Sequence, residues 1–160
     1  VVNNLIGYGY TTGEIKILSD GTPWRPVVHI EDVARAFIAI LQAPRKHIFN
    51  EAFNVGQNEE NYQIREIADS IATLIPGTKV RCLNTTGPDK RSYRVNFDKL
   101  RGKTNFKPRW NIASFIPLLH EKMQKDGFSY NDFVSHAYHT LNFYQYLIEK
   151  NKINKNLQWI

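Results

Sequence analysis

The sequence predicts a mixed α/β domain in which short strands alternate with helices. Three observations support this prediction. The 160 residues are enough to bury a core, and the fractions of apolar (42%) and charged residues (22%) are those of a globular protein. In addition, short β-branched runs alternate with segments of helical periodicity. No repeat or low-complexity linker interrupts the chain, so we predict one domain over residues 1–160.

The first elements follow from apolar patterning and turn residues. Residues 1–13 begin as an apolar helix and run into a loop rich in glycine, tyrosine and threonine. Residues 15–18 and 27–30 have the alternation and β-branching of strands. A helix follows up to Gln42, with the Asp32 side chain as its predicted cap. That helix is apolar on nearly every face, so we expect it to need cover on more than one side.

The middle of the chain predicts alternating elements. Residues 53–56 read as a short buried strand, and an amphipathic helix over 64–74 is ended by a Pro-Gly pair. Residues 79–83 and 93–95 are predicted strands. Residues 98–102 form a helical turn.

Two helices are predicted in the last third. Either Asn111 or Ser114 caps the first, and Pro117 favours Ser114 because proline is tolerated in a first turn. Residues 131–150 have an aromatic stripe that predicts one long helix, for which packing or a dimer contact is the default role.

Several protein classes are excluded. No apolar run is long enough to span a bilayer, and the single cysteine, Cys82, excludes a disulfide framework and a multi-cysteine zinc site. With no recognisable signal peptide, we expect a cytoplasmic protein. The chain starts at Val1 and its one methionine is Met123, so we expect it to be part of a longer protein or a processed product.

The glycine-rich and the basic segments are the candidate ligand sites in the sequence. The spacing Gly7-x-Gly9-x-x-x-Gly13 misses the dinucleotide fingerprint and follows no strand. The formal charge of +6 suits a polyanionic partner. Arg25 lies in a Pro-Trp-Arg-Pro turn whose restricted backbone suits phosphate binding, and Arg91 lies in a second basic stretch.

Residues 89–110 also fit a nucleic-acid-binding strip. They hold eight basic residues against two acids, and four aromatic residues could stack on bases. Those aromatic residues are Tyr93, Phe97, Phe106 and Trp110.

Four phrases in order resemble one known family. They are Gly21-x-x-x-Arg25-x-x-x-His29-x-x-Asp32-x-Ala34-x-Ala36, then Phe53-Asn54-Val55-Gly56, then Asp89-x-Arg91-x-Tyr93, then Asp98-Lys99-Leu100 with Phe106-x-Pro108. Together they resemble the C-terminal, substrate-binding portion of the extended short-chain dehydrogenase/reductases, the NAD-dependent nucleotide-sugar epimerases and dehydratases. The resemblance covers most of residues 1 to about 110.

This resemblance implies a fold, a ligand and a set of site residues. The fold would be the substrate-binding part of an extended Rossmann-type epimerase, and the partner a nucleotide-diphosphate sugar. Two arginines would bind the diphosphate, one of two neighbouring asparagines would contact a phosphate or the sugar, and two aromatic residues would line the sugar or base pocket. These implied substrate-binding residues are Arg25, Arg91, Asn3, Asn4, Trp24 and Tyr93. His29 would be structural rather than catalytic.

The chain departs from the family in its cofactor and catalytic groups. The glycine-rich cofactor loop and the catalytic Ser, Tyr and Lys are missing. Tyr146-x-x-x-Lys150 has the spacing of the catalytic Tyr–Lys pair, but it lies at the end of a predicted helix with no cofactor fold around it. NAD(P) would therefore serve the parent protein, and this chain alone would bind none and turn over nothing. Without an N-terminal dinucleotide-binding domain, helix 32–42 would be uncovered, so we expect self-association or an exposed apolar patch.

Two other functions stay open at this point. One is a free-standing, non-catalytic nucleotide-binding module. The other is a basic nucleic-acid-binding domain that uses residues 89–110, which the resemblance disfavours. Steep weakening of binding by salt would identify the nucleic-acid reading.

Overall fold

The computed structural model describes residues 1–85 and 91–160. These form two compact units, Val1–His120 and Glu121–Ile160. Each unit is described by itself.

A two-stranded parallel sheet and two helices form one core of the first unit. Strand β1 (Glu14–Ile17) pairs with β4 (Lys79–Cys82), and helices α1 (Val2–Thr12) and α4 (Ile64–Leu74) pack on it. Parallel strands need a long crossover, and the intervening elements supply it. The predictions of α4 and β4 are confirmed. Helix α1 continues to Thr12, through residues that were predicted to form a loop. The buried side chains are Ile6, Ile15, Ile17, Ile67, Ala68, Ile71 and Ile75.

A short antiparallel ribbon lies outside this core. Strand β2 (Trp24–Pro26) pairs with β3 (Asn61–Gln63), so that Arg25 lies opposite Tyr62. The strand predicted over 27–30 is wrong, because β2 ends at Pro26 and Ile30 is already helical.

Helix α2 (Ile30–Gln42) starts two residues before the predicted cap. His29 is the cap residue, and its Nδ1 accepts the Glu31 N–H at 3.2 Å. Asp32 is instead buried inside the first turn. The other face of the helix exposes apolar side chains, with Leu41 82% exposed, and the predicted apolar patch is therefore present; its members are Ile30, Phe37, Ile38 and Leu41.

Helix α5 (Asp98–Lys103) closes a second small core. Leu100 and Phe106 pack on Ala36 of α2, and the four-residue helix α3 (Arg45–Ile48) follows α2 in the chain. The predicted strand over 53–56 is not formed. Gly56 has φ +154° and a Cβ there would lie 2.7 Å from the Phe97 ring, so only glycine fits this contact.

Helix α6 (Ile112–Lys125) contains the point in the chain, between His120 and Glu121, at which the two units divide. Asn111, not Ser114, is its cap, because Asn111 Oδ1 accepts the Ser114 N–H at 2.8 Å. Pro117 therefore lies inside the helix rather than in its first turn.

The long helix predicted over 131–150 is wrong. Helix α7 (Tyr130–Val134) and helix α8 (Thr140–Glu149) are separated by the 3₁₀ turn His136–Tyr138. Ser129 and Asp132 form a capping box that fixes the start of α7. His139 has an extended backbone and its Nε2 lies 3.0 Å from the Phe133 carbonyl oxygen, so the chain bends there.

Candidate functional site

Strand β2 and the segment 91–94 bring two arginines together. The Arg25 Nη1 donates to the Trp24 carbonyl at 2.7 Å and to the Arg91 carbonyl. The Arg25 guanidinium carbon lies 5.7 Å from the centre of the Tyr93 ring. Residues separated by 66 positions in the chain therefore meet at one point of the surface.

Backbone contacts hold this arginine–aromatic cluster, defined as residues 24, 25 and 91–94. The Trp24 N–H donates to Ser92 Oγ at 3.1 Å, and the Tyr93 N–H donates to the Trp24 carbonyl at 3.4 Å. The Arg94 guanidinium lies 4.6 Å above the Trp24 ring. Four of the six predicted site residues are thus neighbours. Asp89 and Lys90 of the same predicted stretch lie outside the described residues.

The strand predicted over 93–95 is replaced by a side-chain contact. Asn61 of β3 is buried, its Nδ2 donates to the Val95 carbonyl at 3.0 Å, and its Oδ1 accepts the Val95 N–H at 2.8 Å. A side-chain amide can satisfy both backbone groups of one residue. The segment is therefore fixed beside β3 without forming a strand.

A buried carboxylate, that of Glu60, binds the β2–β3 ribbon through hydrogen bonds. Glu60 is 5% exposed; its Oε1 accepts the Tyr62 hydroxyl at 2.7 Å and its Oε2 accepts the Ile112 N–H at 2.9 Å. Burial, with the hydrogen bond to Glu60, raises the pKa of Tyr62 above its usual value, so the phenol stays a donor. Glu60 therefore joins the ribbon to the start of α6.

Asp32 makes a second long-range anchor. It is 1% exposed, its oxygens accept the N–H groups of Arg109 at 3.0 Å and Trp110 at 2.9 Å, and it pairs with Arg35 at 2.8 Å. The sequence predicted Asp32 as a helix cap rather than as a buried long-range anchor, and it gave no role to Glu60. Their partners are mostly backbone N–H groups more than 50 residues away, and the sequence carries no signal for such contacts.

A cavity of about 250 Å³ lies beside the end of β2. The centre of the His29 ring lies 4.4 Å from that of Trp110, on which it is stacked, and 5.0 Å from that of Phe115, so the His29 ring packs between two aromatic residues. Asn3 and Asn4 are both exposed, and only Asn3 is among the lining residues. The polar lining residues are Asn3, His29, Glu60 and Asn111.

The remaining motifs take structural positions. Gly7 and Gly9 are buried inside α1, where a Cβ at Gly9 would lie 3.1 Å from Thr78 Cγ2, so they serve close packing and form no phosphate loop. In the second unit the Tyr146 ring is stacked on His136 at 4.0 Å, with Lys150 Nζ 5.9 Å from its centre.

The glycine-rich segment of α1 does not have the geometry of a dinucleotide-binding loop. The family's phosphate-binding glycine loop has no counterpart in residues 1–85 and 91–160, where the nearest sequence match is helical. Within the same ranges, no three His, Cys, Asp or Glu side chains are grouped as metal ligands. The described helices are all too short or too polar to cross a membrane.

Comparison with known proteins supports the family resemblance. Residues 1–56 match the model of the NAD dependent epimerase/dehydratase family, so the resemblance is confirmed over that range. The fold is that of Rossmann-type enzymes. The L-threonine dehydrogenase from Clostridium difficile has a TM-score of 0.65 at 17% identity, over 79% of this chain and 40% of that one.

Two sugar-nucleotide enzymes match similarly. The dTDP-glucose 4,6-dehydratase from Bacillus anthracis, solved with NAD, has a TM-score of 0.63 at 17% identity over 78% of this chain and 39% of that one. The UDP-Glc/GlcNAc 4-epimerase from Campylobacter jejuni has a TM-score of 0.54 at 16% identity, over 76% and 40%. The chain therefore spans about 40% of the length of these structures.

Proposed function

We propose that this chain supplies the substrate-binding part of an NAD-dependent epimerase or dehydratase. Its ligand is a nucleotide-diphosphate sugar, and the guanidinium groups of Arg25 and Arg91 bind the diphosphate. Trp24 and Tyr93 flank it, and Asn3 lies near the sugar. A cytoplasmic location and association with an N-terminal dinucleotide-binding domain or a second copy belong to the same proposal.

The meeting of Arg25 with the Arg91 backbone is the observation that carries this proposal. A guanidinium presents its N–H donors as a planar fork that matches phosphate oxygens, and hydrogen bonds between charged groups are the stronger ones. The Arg25 side chain contacts the Arg91 backbone, so the two arginine side chains start from neighbouring positions, which suits the two adjacent phosphates of a diphosphate. The Tyr93 face beside Arg25 restricts where that guanidinium points.

The cofactor chemistry would come from residues outside this chain. NAD(P), when bound by the parent protein, supplies hydride transfer at a sugar carbon. The residues of this chain would bind and orient the nucleotide sugar for that step.

Calorimetric titration of the chain with UDP, dTDP and GDP tests the arginine site. Arg25→Ala and Arg91→Ala are each expected to weaken binding by about 2 kcal/mol, or about 30-fold, since each removes a charge-assisted contact. Arg81→Ala is the matched control, because Arg81 is 68% exposed on β4 and pairs only loosely with Glu14 at 3.8 Å. Unchanged affinity in both arginine variants would remove the site assignment.

Salt dependence separates this function from nucleic-acid binding. A contact with one diphosphate weakens modestly with salt, whereas binding along many phosphates weakens steeply. The structure already disfavours the nucleic-acid reading, because Phe97 and Phe106 are buried and cannot stack on bases. A free-standing binding module would take the same ligands. The mass of the natural protein separates it from an enzyme, which needs a further domain of about 150 residues.

A further inference from the structure

We propose that the second unit, Glu121–Ile160, binds the surface of an anionic lipid bilayer. Residues of the 3₁₀ turn, of helix α8 and of the tail after it line one cavity of about 420 Å³. Five large side chains of this lining, which we call the aromatic face, are 40% or more exposed; they are Tyr138, Phe143, Tyr144, Leu157 and Trp159. None of these residues belongs to the proposed nucleotide-sugar site.

The core of the unit does not depend on the aromatic face. Two other residues of the cavity lining, Leu147 and Ile153, are buried and belong to that core. Trp159, by contrast, is 76% exposed, so its indole contributes little to the folding of this unit. Single exposed apolar side chains are ordinary, whereas several around one cavity are typical of an interaction site.

Hydrogen bonds in the tail hold the aromatic face in position. Ile153 and Trp159 form an antiparallel bridge, and the Asn154 N–H donates to the Gln158 carbonyl at 2.9 Å. Asn154 Oδ1 also accepts the Gln158 N–H at 3.1 Å. Leu157, at φ +60°, has the left-handed backbone conformation that is unfavourable for a large side chain. The tail therefore keeps a strained turn, and Leu157 and Trp159 both border the cavity.

The residue types of the aromatic face favour a boundary between water and hydrocarbon. Tyrosine and tryptophan combine a large apolar ring with one polar group, so they are enriched where a bilayer meets water. Three of the five members of the aromatic face are of these two types. In the described part of the chain no charged residue lines the cavity, so this surface can leave water without the cost of desolvating an ion.

The charges beside the aromatic face favour an anionic surface. Within residues 140–160 there are three lysines and one carboxylate, that of Glu149. Lys152 and Lys155 are exposed in the tail, and the Lys152 carbonyl accepts the Ile160 N–H at 3.1 Å, one residue from Trp159. Lysines this close to the aromatic face can meet lipid phosphates while the aromatic rings enter the interface. A neutral or cationic partner would gain nothing from these lysines.

The unit would lie on the bilayer and not cross it. Helix α8 has ten residues, a length of about 15 Å, which is about half the thickness of the hydrocarbon layer. Insertion is therefore shallow, and the aromatic rings and the lysines contribute together to the affinity. Salt should weaken the binding because it screens the lysines.

Vesicle flotation with the full chain tests this proposal. Vesicles of phosphatidylcholine alone are compared with vesicles of equal parts phosphatidylcholine and phosphatidylglycerol, at low and at high salt. We expect partition into the anionic vesicles to exceed partition into the neutral ones by about tenfold or more at low salt, because two lysines approach the lipid headgroups. Tryptophan emission should shift to shorter wavelength on binding.

Trp159→Ala is the decisive variant. It should weaken partition into anionic vesicles by about tenfold, because one large apolar side chain no longer enters the interface, and it should remove most of the emission shift. The bridge to Ile153 is made by the backbone, so thermal unfolding should be unchanged. Leu41→Ala is the matched control, because Leu41 is 82% exposed on α2 in the first unit and should keep the wild-type partition.

Lys152→Gln together with Lys155→Gln tests the contribution of charge. The double variant should lose the preference for anionic vesicles while keeping the partition into neutral ones. Lys122→Gln is its control, since Lys122 is an exposed lysine of the same unit that pairs with Asp126 at 2.6 Å, and it should leave the preference nearly unchanged.

Each outcome supports or overturns the bilayer site. Anion-dependent binding that falls in Trp159→Ala and survives in Leu41→Ala supports it. Binding that is equal for both vesicles, absent from both, or lost only in Leu41→Ala overturns it. Without vesicle binding, a dimer that dissociates in Trp159→Ala would show that a second copy covers the aromatic face, and binding of monomeric decanoate would show a site for single amphiphiles; either result overturns the proposal. Diphosphate binding through Arg25 is measured separately, so the failure of one proposal leaves the other standing.

Discussion

The candidate site and the outer face of α2 differ in how their side chains are partnered. Around the site, Asp32, Glu60 and Asn61 are buried, and each is hydrogen-bonded to groups far away in the chain. Among the described residues, no buried side-chain nitrogen or oxygen lacks a partner. On α2, by contrast, Phe37 and Leu41 are mostly exposed.

This difference indicates which part of the chain is self-sufficient. Polar groups that are buried without partners destabilise a fold, so a complete polar network lets the site keep its geometry in the isolated chain. Exposed apolar side chains leave the fold intact but favour association. The site should therefore be preorganised, whereas the behaviour of the chain in solution should be governed by α2.

Breaking the polar network should have the largest effect. Asp32→Ala removes the acceptor of two backbone N–H groups and the partner of Arg35, so we expect a loss of about 3–5 kcal/mol in the free energy of unfolding. Urea denaturation measures this loss. Asp69→Ala is the control, because Asp69 forms an exposed pair with Arg65 at 3.6 Å and should change stability by under about 0.5 kcal/mol. Equal effects of the two variants would contradict a polar network of this importance.

Alkaline pH should weaken the network by an intermediate amount. The pKa of Tyr62 is raised in the folded state, so the neutral phenol is favoured there. Its contribution is complete below the ordinary tyrosine pKa of about 10 and is lost as the pH rises above that value. The slope of unfolding free energy between about pH 9 and 11 should therefore be shallower in Tyr62→Phe. The 295 nm absorbance of phenolate follows the titration, and an unaltered slope would disprove the coupling.

Changing the apolar face should leave stability almost unchanged. Phe37→Lys together with Leu41→Lys should reduce self-association in sedimentation and reduce binding of an apolar dye, while the free energy of unfolding changes by about 0.5 kcal/mol or less. Leu118→Lys, at a half-exposed position on α6, is the control. A wild-type chain that stays monomeric at all concentrations and binds no dye would contradict the role assigned to this face.

The sequence predicted elements whose determinants are local. Helix α4 follows from its apolar stripe and the Pro-Gly pair after it, and α5 from a short run near Asp98. The predicted strand at 93–95 failed because the Asn61 side chain takes the place of a strand partner. The helix predicted over 131–150 failed because an extended residue, His139, interrupts a continuous aromatic pattern.

The site was predictable only in part, because some of its contacts join residues that are far apart in the sequence. The turn around Arg25 and the basic stretch around Arg91 stand out in the sequence, and the family resemblance adds Trp24 and Tyr93. The structure brings these four residues together, and their ligand stays a prediction. The roles of Asp32 and Glu60 were not predictable, because a carboxylate that binds a distant backbone N–H leaves no periodic pattern in the sequence.

The amide of Asn61 makes this region unusually vulnerable to change over evolutionary time. In an ordinary strand ladder, the pairing groups belong to the backbone and persist whatever side chain a codon specifies. Here one side chain provides both the donor and the acceptor for Val95. Aspartate would lose the donor, and leucine would lose both groups. A single nucleotide change could thus detach the segment that carries Arg91 and Tyr93, so drift at this position should be far more restricted than at its neighbours on β3.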